Sequence, residues 1–267
     1  METYLWKINN EKLNKTNLTL YSNFINKNYK VKHNNDFNKI WKWSVENPKI
    51  FWKSIWDFTK VKGSLGNILL QESNIFFKNK FFPDTKLNYA ENLLKKNNTE
   101  QAIIFKSENG YKKDISWNNL NSDVEKISNW LESNGIQKGD RVAAYMPNIP
   151  ETVIAYISSA VLGAIWSSCS PDFGIQGVVD RFKQIEPSIL ITSDHYFYNG
   201  KRINILEKVE DILKQIPSIK KTLVFSYNKN EKINLKNYIN FDEVVNQSEL
   251  DEVFERFEFN HPIYILY

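Results

Sequence analysis

The residue types that do chemistry are few and scattered in this sequence. Cys169 is its single cysteine, and no histidine lies close to it in sequence to form a nucleophile–base pair, so a packed thiol is the favoured reading. His33, His195 and His261 are too widely spaced to read as metal ligands and suit ordinary surface or hydrogen-bonding roles. Asp140-Arg141 precedes an apolar run and reads as a turn-fixing pair. Arg181 and Glu186 fall within one helical stretch and read as a solvated or packing pair. Phosphate chemistry would call for a Gly-rich loop, yet the nine glycines include no pair at Walker or dinucleotide spacing. Gly63-Ser64-Leu65-Gly66 has neither a preceding strand nor a Lys-Ser/Thr ending, which makes it a turn.

The elements that must position these residues alternate from about residue 100. Ala102 to Phe105 reads as a strand, and Leu120, Val124, Ile127, Trp130 and Leu131 form a helical stripe closed by Gly135. Val142 to Met146 is a strand stopped by Pro147, and Pro150 opens a helix that runs to Gly163. Ala164 to Ser168 is the next strand, followed by the loop Ser170 to Gly174. Ile175, Val178, Val179, Phe182 and Ile185 mark a helix closed by Pro187. Ile189 to Thr192 and Thr222 to Phe225 are strands separated by a helix carrying Ile205, Leu206, Val209, Ile212 and Leu213, and Ile263 to Tyr267 reads as a buried strand. Such repetition implies an α/β fold with a largely parallel sheet, whose ligands bind beyond the carboxyl ends of the strands. Ser170 to Gly174 lies on that side, read either as a ligand loop or as a turn capped by Asp172.

Residues 1 to about 95 carry few strand signals and read as a helical and irregular cap. There Asn47 can cap and Pro48 can open a helix whose Phe51, Trp52, Ile55 and Trp56 share one face. That stripe suits packing onto a neighbouring domain better than base stacking or membrane contact.

Composition narrows the function classes. The net charge of +4 arises from 35 basic and 31 acidic residues spread along the chain, and only four of the basic residues are arginine, which argues against a nucleic-acid partner. One cysteine excludes an internal disulfide framework and suits a reducing, cytoplasmic setting. Met1 to Asn10 shows no signal-peptide pattern. The uncharged stretch Thr152 to Ser170 reads as a buried helix and strand and not as a membrane span, because Gly163 and five serines interrupt it.

Several segments resemble a known family. Phe82-Pro83-Asp84-Thr85-Lys86-Leu87-Asn88-Tyr89-Ala90-Glu91-Asn92-Leu93-Leu94 resembles the lead-in to the main domain of acetoacetyl-CoA synthetases. Gly139 to Thr152 is similar to a block shared by adenylate-forming acyl-CoA synthetases. Ser167-Ser168-Cys169-Ser170-Pro171-Asp172-Phe173-Gly174, continuing to Gln184-Ile185-Glu186-Pro187, looks specifically like the acetoacetate-activating branch. Tyr198-Asn199-Gly200-Lys201 and His261 to Tyr267 extend the resemblance.

This resemblance implies a cap over residues 1–95 and, over 96–267, the first part of the AMP-binding domain. It implies ATP, Mg²⁺ and CoA as cofactors and acetoacetate as the acid substrate, joined through an acyl-adenylate. The basic residue matching Lys201 contacts the 3′-phosphate end of CoA in related enzymes, which marks Lys201, with Gly200 and Tyr198 as neighbours, as candidate CoA-binding residues against a plain solvated loop. Tyr198 stands where acetate-activating members tend to have arginine. The family's phosphate loop and catalytic lysine follow a strand like Ile263 to Tyr267 and have no counterpart in these 267 residues, so no catalytic residue is assigned. The chain is expected to be an N-terminal part that is inactive without the remainder of the enzyme. A ligase for another short acid, such as acetate or propionate, and a non-catalytic CoA-binding or interaction module are the alternatives.

Overall fold

The computed structural model describes residues 5–33, 35–227, 233, 235–246 and 254–267. The chain divides into two compact units, Met1–Lys86 and Leu87–Tyr267.

The first unit is built on four helices, α1 (Asn10–Asn14), α2 (Asn17–Tyr29), α3 (Phe37–Glu46) and α4 (Pro48–Thr59). Asn9, Thr16 and Asp36 cap the first three, each accepting a backbone N–H of the opening turn. Asn47 does not cap α4 as expected. Its side-chain amide donates to the carbonyl of Trp43 at 3.1 Å and so closes α3, a demand that competes with capping where two helices share one junction residue. Tyr21, Ile25 and Ile40 are buried, and Phe51, Ile55 and Phe58 of α4 pack on them. The α4 stripe thus finds its partners within this unit. The Tyr21 and Ser54 hydroxyls share a 2.6 Å hydrogen bond in the interior.

The Gly63–Gly66 turn wraps a carboxylate of its own chain. Gly66 N donates to Thr85 Oγ1 at 2.9 Å, and Asn67 N and Ile68 N donate to the Asp84 carboxylate at 2.8 and 3.2 Å. These bonds, that from Asn67 first, hold Asp84 below the usual carboxylate range. A Cβ on Gly66 would lie 2.1 Å from Asp84 Oδ1. Gly66→Ala should therefore expel this carboxylate and lower the urea-unfolding midpoint; an unchanged midpoint would refute this account of the turn.

The second unit opens with α5 (Tyr89–Leu93) and an antiparallel hairpin of β1 (Gln101–Lys106) and β2 (Lys112–Ser116), which forms its own two-stranded sheet. Then follow α6 (Trp117–Ser133), β3 (Arg141–Tyr145), α7 (Pro150–Val161), β4 (Ile165–Cys169), α8 (Ile175–Ile185) and β5 (Ile189–Ser193). A second hairpin, β6 (His195–Tyr198) and β7 (Lys201–Asn204), precedes α9 (Leu206–Gln215), β8 (Lys221–Phe225), β9 (Tyr238–Asn240) and α10 (Phe241–Val245). The central sheet has the order β9-β8-β5-β3-β4 with every pair parallel. Side-chain alternation sends Val142 and Ala144 to one face, under α6, α7 and α10, and Ala143 and Tyr145 to the other, under α8 and α9.

The uncharged stretch is a buried helix and strand as read, and among the described residues no helix is long and apolar enough to cross a membrane. The expected strand Ile263 to Tyr267 is a correction. It makes one parallel bridge, Tyr264 with Trp166, through Trp166 N to Ile263 O at 3.1 Å and Ile265 N to Trp166 O at 2.8 Å. Ile263 to Ile265 are half-buried and Leu266 and Tyr267 are exposed, since a segment lying along the outer edge of β4 is covered from one side.

Candidate ligand-binding site

The carboxyl ends of β3, β4, β5 and β8 form the edge where a doubly wound sheet receives ligands. After β4 the chain turns through Ser170–Gly174. Phe173 N donates to Ser170 O at 3.1 Å, and the buried Tyr145 hydroxyl donates to the carbonyls of Pro171 and Phe173 at 2.7 and 2.8 Å. Burial pushes the Tyr145 phenol upward, with Tyr196 and Asp172 adding to the effect, so it serves as a neutral donor. The capping residue of α8 is Gly174, with no side-chain cap bond. Asp172 is therefore not the cap expected from the sequence, because the helix begins two residues too late for its short side chain to serve.

Arg181, just past the middle of α8, donates to Gly177 O at 2.7 Å and lies over the rings of Phe173 (5.0 Å) and Tyr267 (5.9 Å). Its partners are thus aromatic, and Glu186 is the left-handed residue that ends α8. Arg141 completes that end, donating from Nε to Ile185 O at 2.6 Å. Asp140 Oδ2 accepts from Gln137 N at 2.9 Å, as its turn-fixing reading expects. Cys169 is buried, and burial raises its thiol pKa, with Arg181 opposing; a neutral packed thiol has no part in nucleophilic chemistry.

At the end of β5 a buried polar network links β5 to β8. Asp194 accepts from Ser226 Oγ at 2.7 Å and from His195 N at 2.8 Å. His195 Nδ1 lies 2.9 Å from Asp194 Oδ1 without hydrogen-bond alignment. Burial works to raise the Asp194 pKa, but the bonds from His195, Ser226 and Tyr227 outweigh it and hold the carboxyl below its usual value. The His195 ring packs on Tyr227 and Phe197. Nearby, Lys113 of β2 meets the buried Glu151 of α7 at 2.5 Å. Among the described residues no group of three or more His, Cys, Asp or Glu is arranged to hold a metal ion.

Tyr198, Gly200 and Lys201 come together at the tip of the β6–β7 hairpin. Asn199 and Gly200 form a two-residue turn with φ of +50° and +72°, the conformation favoured by an Asn-Gly pair. Tyr198 and Lys201 pair across it and are exposed. The turn's two N–H groups point at one acceptor, Glu108 of the β1–β2 loop, with Asn199 N 3.1 Å from Oε2 and Gly200 N 3.0 Å from Oε1. Two converging N–H groups beside a lysine make an anion-binding concavity. Tyr196, two residues inside the turn, packs against the cluster that holds Tyr145 and Cys169, and Tyr145 in turn fastens the Ser170–Gly174 loop. Glu108 and the Asp194 network were not singled out in the sequence; the Asn199-Gly200 pair is a hairpin signal that could have located this turn.

Comparison with known proteins places this geometry. The family described as AMP-binding enzyme matches residues 91–267. The chain is 38% identical over 236 residues to an acetoacetyl-coenzyme A synthetase of Rhizobium meliloti (strain 1021), covering 87% of this chain and 36% of that protein. It is 34% identical over 281 residues to the Xenopus tropicalis acetoacetyl-CoA synthetase, covering 98% and 41%. Among solved structures, the acetoacetyl-CoA synthetase from Streptomyces lividans superposes with a TM-score of 0.90 at 27% identity, covering 98% of this chain and 41% of that one. The chain thus spans roughly two fifths of the length of these relatives.

Proposed function

Because the chain belongs to the AMP-binding enzyme family, we propose that it forms the first part of an ATP-dependent acetoacetate–CoA ligase: residues 1–95 as a cap and 96–267 as the beginning of the adenylate-forming domain. In the reaction the acetoacetate carboxylate attacks the α-phosphorus of ATP, and the bond to pyrophosphate breaks. The CoA thiol then attacks the acyl carbon of the adenylate, losing its proton as AMP departs. The observation that carries this reading is the agreement in fold, along nearly the whole chain, with the Streptomyces lividans acetoacetyl-CoA synthetase.

Within this reading the described residues receive CoA. The N–H pair of the Asn199–Gly200 turn and the Lys201 ammonium suit a terminal phosphate, and Tyr198 offers an exposed ring beside them. Neither ATP nor Mg²⁺ is assigned a residue of this chain, so the phosphoryl steps are left to the rest of the enzyme. The buried, reduced Cys169 is in keeping with a cytoplasmic location.

The reading is tested by pyrophosphate release from the full-length enzyme with ATP, Mg²⁺, CoA and a series of acids. Acetoacetate should exceed acetate and propionate in kcat/KM by tenfold or more, roughly 1.4 kcal/mol of discrimination; a preference for another acid would reassign the substrate. In the same enzyme Lys201→Ala should weaken CoA about threefold to tenfold and leave dephospho-CoA unaffected, the range for one exposed charge contact. Equal losses with both ligands would remove Lys201 from the phosphate site.

A further inference from the structure

The Asn199–Gly200 turn is already filled by an anion. Both oxygens of the Glu108 carboxylate are engaged, one by each N–H, at 3.1 and 3.0 Å, from a loop 91 and 92 residues earlier in the chain. Two successive left-handed residues aim their N–H groups at one point, the arrangement with which backbone binds phosphate as readily as carboxylate. The Asn-Gly turn needs no side chain to hold its shape, since both residues adopt positive φ readily. Glu108 is exposed and its loop is a hairpin end, so the carboxylate can leave without disturbing a core.

We propose that Glu108 is an internal competitor for phosphate: it occupies the N–H pair of the β6–β7 turn until a phosphate monoester displaces it. The proposal rests on the reading of this turn as the CoA phosphate site and adds to it a carboxylate that tempers phosphate affinity. A ligand bearing a terminal phosphate gains the two N–H groups and Lys201 in exchange for releasing Glu108. A ligand lacking that phosphate leaves Glu108 in place and gains neither. Glu108 thereby lowers the affinity for the phosphorylated ligand alone and narrows the difference between phosphorylated and unphosphorylated forms.

The experiment compares the 267-residue chain with Glu108→Gln and Glu108→Ala variants. Amide chemical shifts of Asn199 and Gly200 are followed on adding inorganic phosphate, and affinities for CoA, dephospho-CoA and ATP are measured by calorimetry. With Glu108 neutralised, phosphate should shift the two amides at several-fold lower concentration, and CoA should bind about threefold to tenfold tighter with dephospho-CoA unchanged, the scale of one exposed charge-assisted interaction. Phosphate shifts that are the same in all three proteins overturn the proposal, as does weaker CoA binding in both variants, which would mark Glu108 as a simple clip between two hairpins. If phosphate competes as expected but CoA and dephospho-CoA bind alike, the competition stands and the CoA assignment falls. Tightening of ATP in place of CoA would give the turn to a nucleotide phosphate.

Discussion

Asp194→Ala is expected to destabilise the chain by about 2–5 kcal/mol at neutral pH, the range for leaving two buried donors, a hydroxyl and a backbone N–H, without their charged acceptor. Asp194 is 2% exposed, and its carboxylate is the acceptor for Ser226 Oγ and the backbone N–H of His195, with Tyr227 N further off at 3.4 Å. Alanine supplies no acceptor, and the space left lies between β5 and β8 under the aromatic rings of His195, Phe197 and Tyr227. The pH dependence has a definite sign. Because the folded carboxyl is held below its unfolded value of about 4, its contribution is complete above that value and is lost as pH falls through the lower, folded pKa. Urea unfolding of both proteins should show the largest gap at pH 6–7 and a narrowing gap below about pH 4. A gap independent of pH would show that the ionised carboxylate is not what stabilises the network.

Trp166→Ala should cost a similar amount, about 3–5 kcal/mol, for a different reason. The indole is 2% exposed on β4 and packs against Tyr156, at 5.9 Å between centroids, while Tyr156 also meets Tyr264 at 5.8 Å. Deleting it leaves a large void in a core whose neighbours on β3 and α7 are held by the sheet and helix backbone. The backbone bonds of Trp166 to Ile263 and Ile265 survive the substitution, but the aromatic packing beside them does not. Trp166→Phe should recover most of the loss. Equal destabilisation by both variants, read from thermal or urea unfolding, would mean that something other than volume is at stake.

The second unit was legible because its strands are short apolar runs separated by helical stripes with glycine or proline at the ends. Val142, Ile189 and Leu223 sit in adjacent strands as that alternation requires. What was missed is polar sequence whose structure comes from a partner and not from its own apolar pattern. Lys112–Ser116 carries two lysines and an aspartate, and becomes a strand only by pairing with the more apolar Gln101–Lys106. The β6–β7 hairpin was not read from the sequence, although its Asn-Gly turn carries a hairpin signal that its flanks lack. At the candidate site, the types at Tyr198, Gly200 and Lys201 could be picked out along the chain. Glu108, which completes the turn, could not, because nothing local ties a loop glutamate to a backbone 91 residues away. Ile263 to Tyr267 failed in the opposite direction, since apolarity alone does not distinguish an interior strand from a segment laid along an edge.

The single thiol offers a use beyond its packing. Cys169 ends β4 at 4% exposure, directly before the loop that Tyr145 fastens, and burial disfavours its reactive thiolate. A thiol-specific reagent should therefore modify it only when that corner of the sheet opens, and with no second cysteine in the sequence the label has one address. The rate of modification becomes a clock for local opening at the ligand-facing edge, available in the unmutated protein, and a ligand that braces the Ser170–Gly174 loop would slow it.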